Sequence, residues 1–78
     1  MAEASDAAEL VGFIAKSLVG NVDAVDVVEV DDGRTLELET DADDRGRVIG
    51  RQGRVAKAMR AVLAASSVGA DCRLEIVD

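Results

Sequence analysis

Two glycines, Gly50 and Gly53, interrupt a stretch that is otherwise helical in pattern between residues 41 and 67. The segment around them, RVIGRQGR, places a cation inside the glycine pair and further cations on both sides of it. Glycine adopts positive φ at little steric cost, so this spacing predicts a sharp turn between two helices. A pair of helices joined in this way must cover a sheet or another helix, which limits the folds open to so short a chain.

The chain has 78 residues, enough for one small domain and too few for two separate cores. Its apolar fraction is 49%, but alanine and valine supply most of it, and Phe13 is the only aromatic residue. The core must therefore be thin and built of small side chains, and we expect Phe13 and Met59 to lie in it. Residues 1–5 are expected to form a flexible N-terminus of this single domain, which spans residues 1–78.

The sequence lacks the residues that most catalytic and metal-binding sites require. There is no histidine and only one cysteine, Cys72, so zinc sites and Cys–His or Ser–His nucleophile pairs cannot be built. Neither a P-loop nor a GxGxxG dinucleotide motif is present. The sixteen acidic residues are scattered, and we expect them to be solvated surface. The sequence thus favours a non-enzymatic protein without a cofactor or metal, in which Cys72 is a buried, inert thiol.

The sequence also bears on location. No apolar run approaches the roughly 18 residues that span a bilayer. The N-terminal segment MAEASDAAEL has no basic region of the kind that begins a secretory signal. We therefore expect a cytoplasmic protein.

The charge of the chain is divided between a basic segment, residues 45–60, and an acidic remainder. The basic segment holds six cations and no acid: Arg45, Arg47, Arg51, Arg54, Lys57 and Arg60. The other residues carry three cations and sixteen acids, which gives a net charge of −7. A local positive site on a protein that elsewhere repels polyanions favours the binding of a polyanion at that site.

A helix and a hairpin are predicted ahead of the glycine pair. Asp6 followed by Glu9 has the pattern of a capping box, and apolar residues then recur at helical spacing until Gly20, which predicts a helix over about residues 7–19. The runs AVDVVEV and RTLELET alternate as strands do, around an Asp-Asp-Gly turn. The core-facing positions of these two strands are expected to be Val28, Val30, Leu36 and Leu38.

Two further helices and a third strand complete the predicted order. Acids at positions 41, 43 and 44 suit the start of a short helix that ends at Ile49. A third helix is expected over residues 54–67 with Gly69 as its cap, a basic outer face and a core face formed by Val55, Met59 and Val62. The run CRLEIV predicts a strand. The result is an α+β domain of order αββααβ, in which a three-stranded mixed sheet packs on three helices.

The combination of features around the glycine pair resembles the KH domain. An apolar pair, Val48-Ile49, is followed by GxxG with a cation inside it, and then by a basic amphipathic helix. The order αββααβ is similar to the type II arrangement of prokaryotic KH domains. In size, in the segment RVIGRQGRVAKAMRAVL and in the ending LEIVD, the whole chain resembles the small stand-alone bacterial KH proteins of the KhpA family.

This resemblance implies a site that binds single-stranded RNA without catalysis, in an accessory regulatory role. In KH domains the GxxG loop clamps about four nucleotides by their backbone. The residues that the resemblance assigns to this site are Gly50, Arg51, Gln52 and Gly53 in the clamp, Arg47, Arg54 and Lys57 as flanking cations, and Val48 and Ile49 as an apolar floor. RRM and OB-type platforms need stacking aromatics, which this sequence lacks.

The resemblance also implies protein partners, and one position, Arg45, departs from the pattern of the family. Proteins of this kind are associated with homodimers or with heterodimers that include a larger KH-containing protein. Arg45 stands where members of the family usually have an apolar residue, so a buried Arg45 would have to extend along the helix to reach solvent.

An alternative interpretation is a protein-interaction module. In that case the GxxG turn is structural, and the basic segment docks an acidic partner protein. The two interpretations differ at Arg51 and Gln52, because protein docking tolerates changes there that an RNA clamp does not.

Overall fold

The computed structural model describes residues 5–77, which form three α-helices and one three-stranded sheet. The elements are α1 (Asp6–Leu18), β1 (Asp26–Val30), β2 (Thr35–Glu39), α2 (Arg45–Ile49), α3 (Arg54–Ala65) and β3 (Arg73–Ile76). Short 3₁₀ turns precede β1, α2 and α3. The predicted order αββααβ and its α+β class are confirmed. The expected flexible N-terminus lies outside the described residues, except for Ser5.

The central strand of the sheet is β2. It pairs antiparallel with β1 on one side and parallel with β3 on the other, as predicted for a mixed sheet. A parallel pair requires a long crossover between its strands, and α2 and α3 supply it. The helices that flank the glycine pair are therefore fixed at both ends by neighbouring strands of one sheet.

The predicted register of β1 is wrong by one residue. Directly paired residues lie on the same face of a sheet. Val27 pairs with Leu38 and packs against the core, whereas Val28 pairs with Glu37 on the opposite face. The run DVVEV contains adjacent valines, so its alternation fits either register, and the turn decides between them.

That turn occupies the residues between β1 and β2 and contains three consecutive residues with positive φ, namely 56° at Asp31, 56° at Asp32 and 81° at Gly33. It is closed by a hydrogen bond of 3.1 Å from the Gly33 amide to the Val30 carbonyl. Positive φ in this loop matches the right-handed twist of the hairpin, and the tolerance of aspartate and glycine for it explains the sequence Asp-Asp-Gly.

The core lies between one face of the sheet and the helices. Leu36 and Leu38 have no exposed surface. They are joined by buried residues of all three helices and of β3: Ala7, Ala8, Val11, Ala15, Val48, Met59, Leu63 and Leu74. Alanines on α1 let this helix approach the sheet closely. Met59 is buried as expected, but the placement of Phe13 in the core is wrong, since 71% of its surface is exposed. Phe13 projects from the side of α1 opposite to Val11 and Ala15.

Two of the expected helix ends are also wrong. Ser5, not Asp6, caps α1, and its Oγ accepts a hydrogen bond of 3.1 Å from the Ala8 amide. α3 ends at Ala65, four residues before Gly69. A Cβ on Gly69 would collide with the side chain of Leu63, so this buried glycine is required for space and does not cap the helix.

The burial pattern predicts that truncating two large side chains will affect the free energy of unfolding very differently. Leu36→Ala should lower the free energy of unfolding by about 2–5 kcal/mol, because it leaves a cavity at the centre of the core. Phe13→Ala should change it by no more than about 0.5 kcal/mol, since the ring is mostly in solvent. Urea denaturation of both variants measures the difference. Equal losses in the two variants would contradict this placement of α1.

Candidate nucleic-acid interface

The turn between α2 and α3 is a compact structure built on left-handed backbone. Gly50 has φ 77°, Gln52 has φ 57° and Gly53 has φ 75°. The Gly50 amide donates to the Gly46 carbonyl at 2.8 Å and closes α2, and the Gly53 amide donates to the Gly50 carbonyl at 3.1 Å. We call residues 50–53 the glycine turn. These two hydrogen bonds hold the turn in place, and the side chains of Arg51 and Gln52 are exposed on it.

The two glycines of this turn are needed for different reasons. A Cβ on Gly50 would lie 2.8 Å from the backbone nitrogen of Val55 and would collide with the Val55 side chain. Gly50 therefore allows α3 to begin against the end of α2. A Cβ on Gly53 would meet no atom within 4 Å, so only the positive φ calls for glycine there. Gly53 leaves open space in front of the first turn of α3.

The start of α3 combines several features that attract an anion. Its N-cap is Gly53, so no side chain accepts hydrogen bonds from the first amides, and the first turn contains no acid. The Arg54 amide donates to the Arg51 carbonyl, and the amides that follow it in the first turn carry the positive end of the helix dipole. Arg54 and Lys57, one turn apart, are exposed beside them, and Arg51 is exposed on the glycine turn. A phosphate oxygen could therefore reach the backbone amides between cations.

The remaining residues predicted for the site are placed differently. Val48 has no exposed surface and belongs to the core, so it supports the turn from beneath, whereas Ile49 is half-buried. Arg45 is half-buried at the start of α2. Arg47 is exposed, but its Nη1 lies 2.8 Å from Oδ1 of Asp44.

Asp44 is a site residue that the sequence did not reveal. It is only 4% exposed, and its carboxylate accepts hydrogen bonds of 3.0 Å from the amides of both Gly20 and Asn21, in addition to the contact with Arg47. The amide of Asn21 first, and then that of Gly20, lower the pKa of Asp44 below its ordinary value. The expectation that the acids are all solvated surface is therefore wrong at this position. The backbone partners lie more than twenty residues away in sequence, and no local pattern announces them.

A cleft between α3 and the edge of β3 is a second feature that sequence reasoning missed. Its lining residues are Arg60, Leu63, Cys72, Arg73, Leu74 and Glu75. Arg60 Nε donates to the carbonyl of Leu74 at 3.1 Å and so lies along the edge strand. Because β3 has a strand partner on one side only within residues 5–77, the cleft presents backbone polar groups to solvent.

Two other kinds of feature are absent from residues 5–77. No cluster of three or more histidine, cysteine, aspartate or glutamate side chains in this range could hold a metal ion. No helix in the same range is long and apolar enough to cross a membrane.

Comparison with known proteins gives one consistent result. The family profile described as KhpA/KhpB, KH domain, matches residues 8–76. The protein named RNA-binding protein KhpA of Halalkalibacterium halodurans is 49% identical, in an alignment that covers 88% of this chain and 96% of the relative. Proteins of the same name from Borreliella burgdorferi and Aquifex aeolicus are 42% and 40% identical, over 100% and 90% of this chain and 100% and 94% of theirs. No solved structure matches the chain with significant similarity.

The two glycines of the turn should differ in their sensitivity to substitution. Gly50→Ala should lower the free energy of unfolding by about 2–4 kcal/mol, because strain at positive φ adds to the collision with Val55. Gly53→Ala should lower it by about 1 kcal/mol, from backbone strain alone. Urea denaturation measures both values. A loss at Gly53 as large as that at Gly50 would contradict the open space in front of α3.

Asp44 should make stability depend on pH at the acid end. Its folded-state pKa lies below the ordinary 3.8, so its contribution is fully present above the unfolded-state pKa and is lost as pH falls through the folded-state pKa. The difference in Tm between the wild type and Asp44→Asn should therefore be largest above about pH 5 and shrink toward about pH 2. The exposed Asp23→Asn serves as the control. A Tm difference that stays constant over this range would contradict the assignment.

Proposed function

We propose that this chain, which belongs to the KhpA/KhpB family of KH domains, binds single-stranded RNA by clamping the sugar–phosphate backbone at the glycine turn. The observation that carries this proposal is the start of α3. There, uncapped amides, a position without a Cβ and three exposed cations (Arg51, Arg54 and Lys57) meet in one place. The relatives are named RNA-binding proteins, which agrees with a polyanionic ligand.

The clamp works through the backbone. A phosphate approaching Gly53 meets no side chain, so its oxygens can accept hydrogen bonds from the first amides of α3, where the helix dipole favours a negative charge. Arg54 and Lys57 add charge along the same helix face, one turn apart. Such contacts fix the position of a strand without reading its bases, so the turn alone provides affinity and little sequence preference.

Base contacts have to come from surfaces beside the turn. The cleft between α3 and β3 offers the Arg60 guanidinium and the polar groups of an edge strand, and Ile49 offers a half-buried apolar contact. Aromatic stacking is not available, because Phe13 lines a separate groove between α1 and β1. Bases of a single strand can enter this cleft with their Watson–Crick edges unpaired, whereas a duplex keeps those edges paired inside it.

We propose further that the protein acts without catalysis as an accessory regulator of RNA, paired with a second copy or with a larger KH-containing protein. Three cations at one turn give a small footprint, and linking two such sites raises the overall affinity without any new contact. The family that matches the chain covers both KhpA and KhpB, which is consistent with pairing between its members.

The double substitution Arg51→Asp/Gln52→Asp tests the clamp. It places two carboxylates where the phosphate should lie, and both positions are exposed, so Tm should change little. The Kd for a short labelled single-stranded RNA should rise at least about tenfold, which corresponds to roughly 1.4 kcal/mol. Fluorescence anisotropy measures the affinity.

The matched control is Arg34→Asp/Ser67→Asp, which changes the net charge by the same amount at exposed positions outside the basic segment. It should weaken RNA binding by less than about threefold, since only long-range repulsion acts. If both double variants bind RNA equally, the clamp is wrong, and the docking of an acidic protein becomes the better interpretation of the basic segment.

A further inference from the structure

We infer that Asp44 and Arg47 form a positioning pair that fixes the start of α2, and that Arg47, although exposed and within the basic segment, makes no phosphate contact. The inference rests on the RNA-binding function proposed above. It changes the role of one of the flanking cations, because Arg47 then supports the clamp from behind and is not part of it.

The Arg47 side chain is directed toward the start of α2, away from the glycine turn. Helical side chains lean toward the N-terminus of their helix. Arg47 does so, and its Nη1 reaches Asp44, three residues back, at 2.8 Å. The same nitrogen would lie 3.0 Å from a Cβ on Gly20, so the guanidinium extends over the loop that follows α1. The glycine turn begins at the other end of α2, and the cation is directed away from it.

Gly20 therefore has a reason for being glycine that differs from the predicted one. It was expected to stop α1, yet α1 ends at Leu18 and the φ of Gly20 is not positive. The absence of a side chain on Gly20 instead leaves room for the Arg47 guanidinium. The Gly20 backbone amide donates to Asp44 at 3.0 Å. The loop after α1, the start of α2 and the Arg47 side chain thus meet at a single carboxylate.

The electrostatics of Asp44 oppose the release of Arg47. Asp44 is almost completely buried. Within residues 5–77, Arg47 is the only cation that forms a hydrogen bond or an ion pair with it. Moving the guanidinium to a phosphate would leave the buried charge with its backbone donors alone, which is unfavourable. A cation that is already neutralised by a carboxylate also has little counterion release to contribute when a nucleic acid binds.

Two single variants with the same net charge test the inference. Arg47→Ala and Arg54→Ala each remove one exposed arginine of the basic segment. The measurement is the slope of log K against log salt for a short labelled single-stranded RNA, together with Tm. Arg54→Ala should make the slope shallower by about 0.7 and leave Tm nearly unchanged. Arg47→Ala should keep the slope within about 0.2 of wild type and lower Tm.

Asp44→Asn gives a readout that a purely structural role would not produce. Measured well below its own Tm, this variant should have a steeper salt slope than wild type by about 0.7, because Arg47 is released to reach phosphate. Adding Arg47→Ala to Asp44→Asn should abolish that gain. A steepening that persists in the double variant would overturn the inference.

The outcomes separate the inference from the function on which it rests. A wild-type slope of about −2 is expected from three free cations on a single strand. A wild-type slope near zero would overturn the RNA-binding proposal itself. A wild-type slope near −2 that becomes shallower by the same amount in Arg47→Ala and in Arg54→Ala would keep the function and overturn only the inference.

Discussion

The close contact between Gly50 and the first turn of α3 is the constraint on which the rest of the site depends. β2 and β3 are parallel neighbours, so the chain must cross from one to the other over the face of the sheet. It does so with α2 and α3. These helices can meet closely because Gly50 has no side chain that would collide with Val55 of α3. The bend makes α3 begin at the surface without a side chain that caps its amides. The anion-attracting end of the helix is thus a consequence of how the parallel pair is connected.

The element order and the turn could be predicted because they depend on local signals. The glycine spacing, the Asp-Asp-Gly turn and the alternation in each strand are properties of neighbouring residues. The register of β1 could not be predicted, since adjacent valines fit either face and the hairpin turn fixed the choice. The exposure of Phe13 was missed because the expectation that a large aromatic is buried ignores the helix face on which it falls. The role of Asp44 depends on amides from a distant loop, which no local pattern contains.

The small side chains of the core link the stability of the domain to the geometry of the site. Alanines on α1 bring this helix close to the sheet, and Val48, which has no exposed surface, fixes α2 to the same core one residue before Ile49. The glycine turn therefore projects from a buried base, and its Gly50 lies directly against Val55 of α3. A clamp that works through backbone amides needs such a base, because the donors must keep their directions when the ligand binds.

The fate of the six cations in the basic segment explains how an acidic protein can bind a polyanion at one place. Arg45 is half-buried, Arg47 is held by Asp44, and Arg60 lies along the edge of β3. The cations left around the glycine turn are Arg51, Arg54 and Lys57. Because the net charge is −7, a nucleic acid is repelled from the rest of the surface and is attracted only where these cations are close to uncapped amides. Because so few contacts bind one strand weakly at physiological salt, the pairing proposed above would raise the affinity by placing two sites on the same RNA.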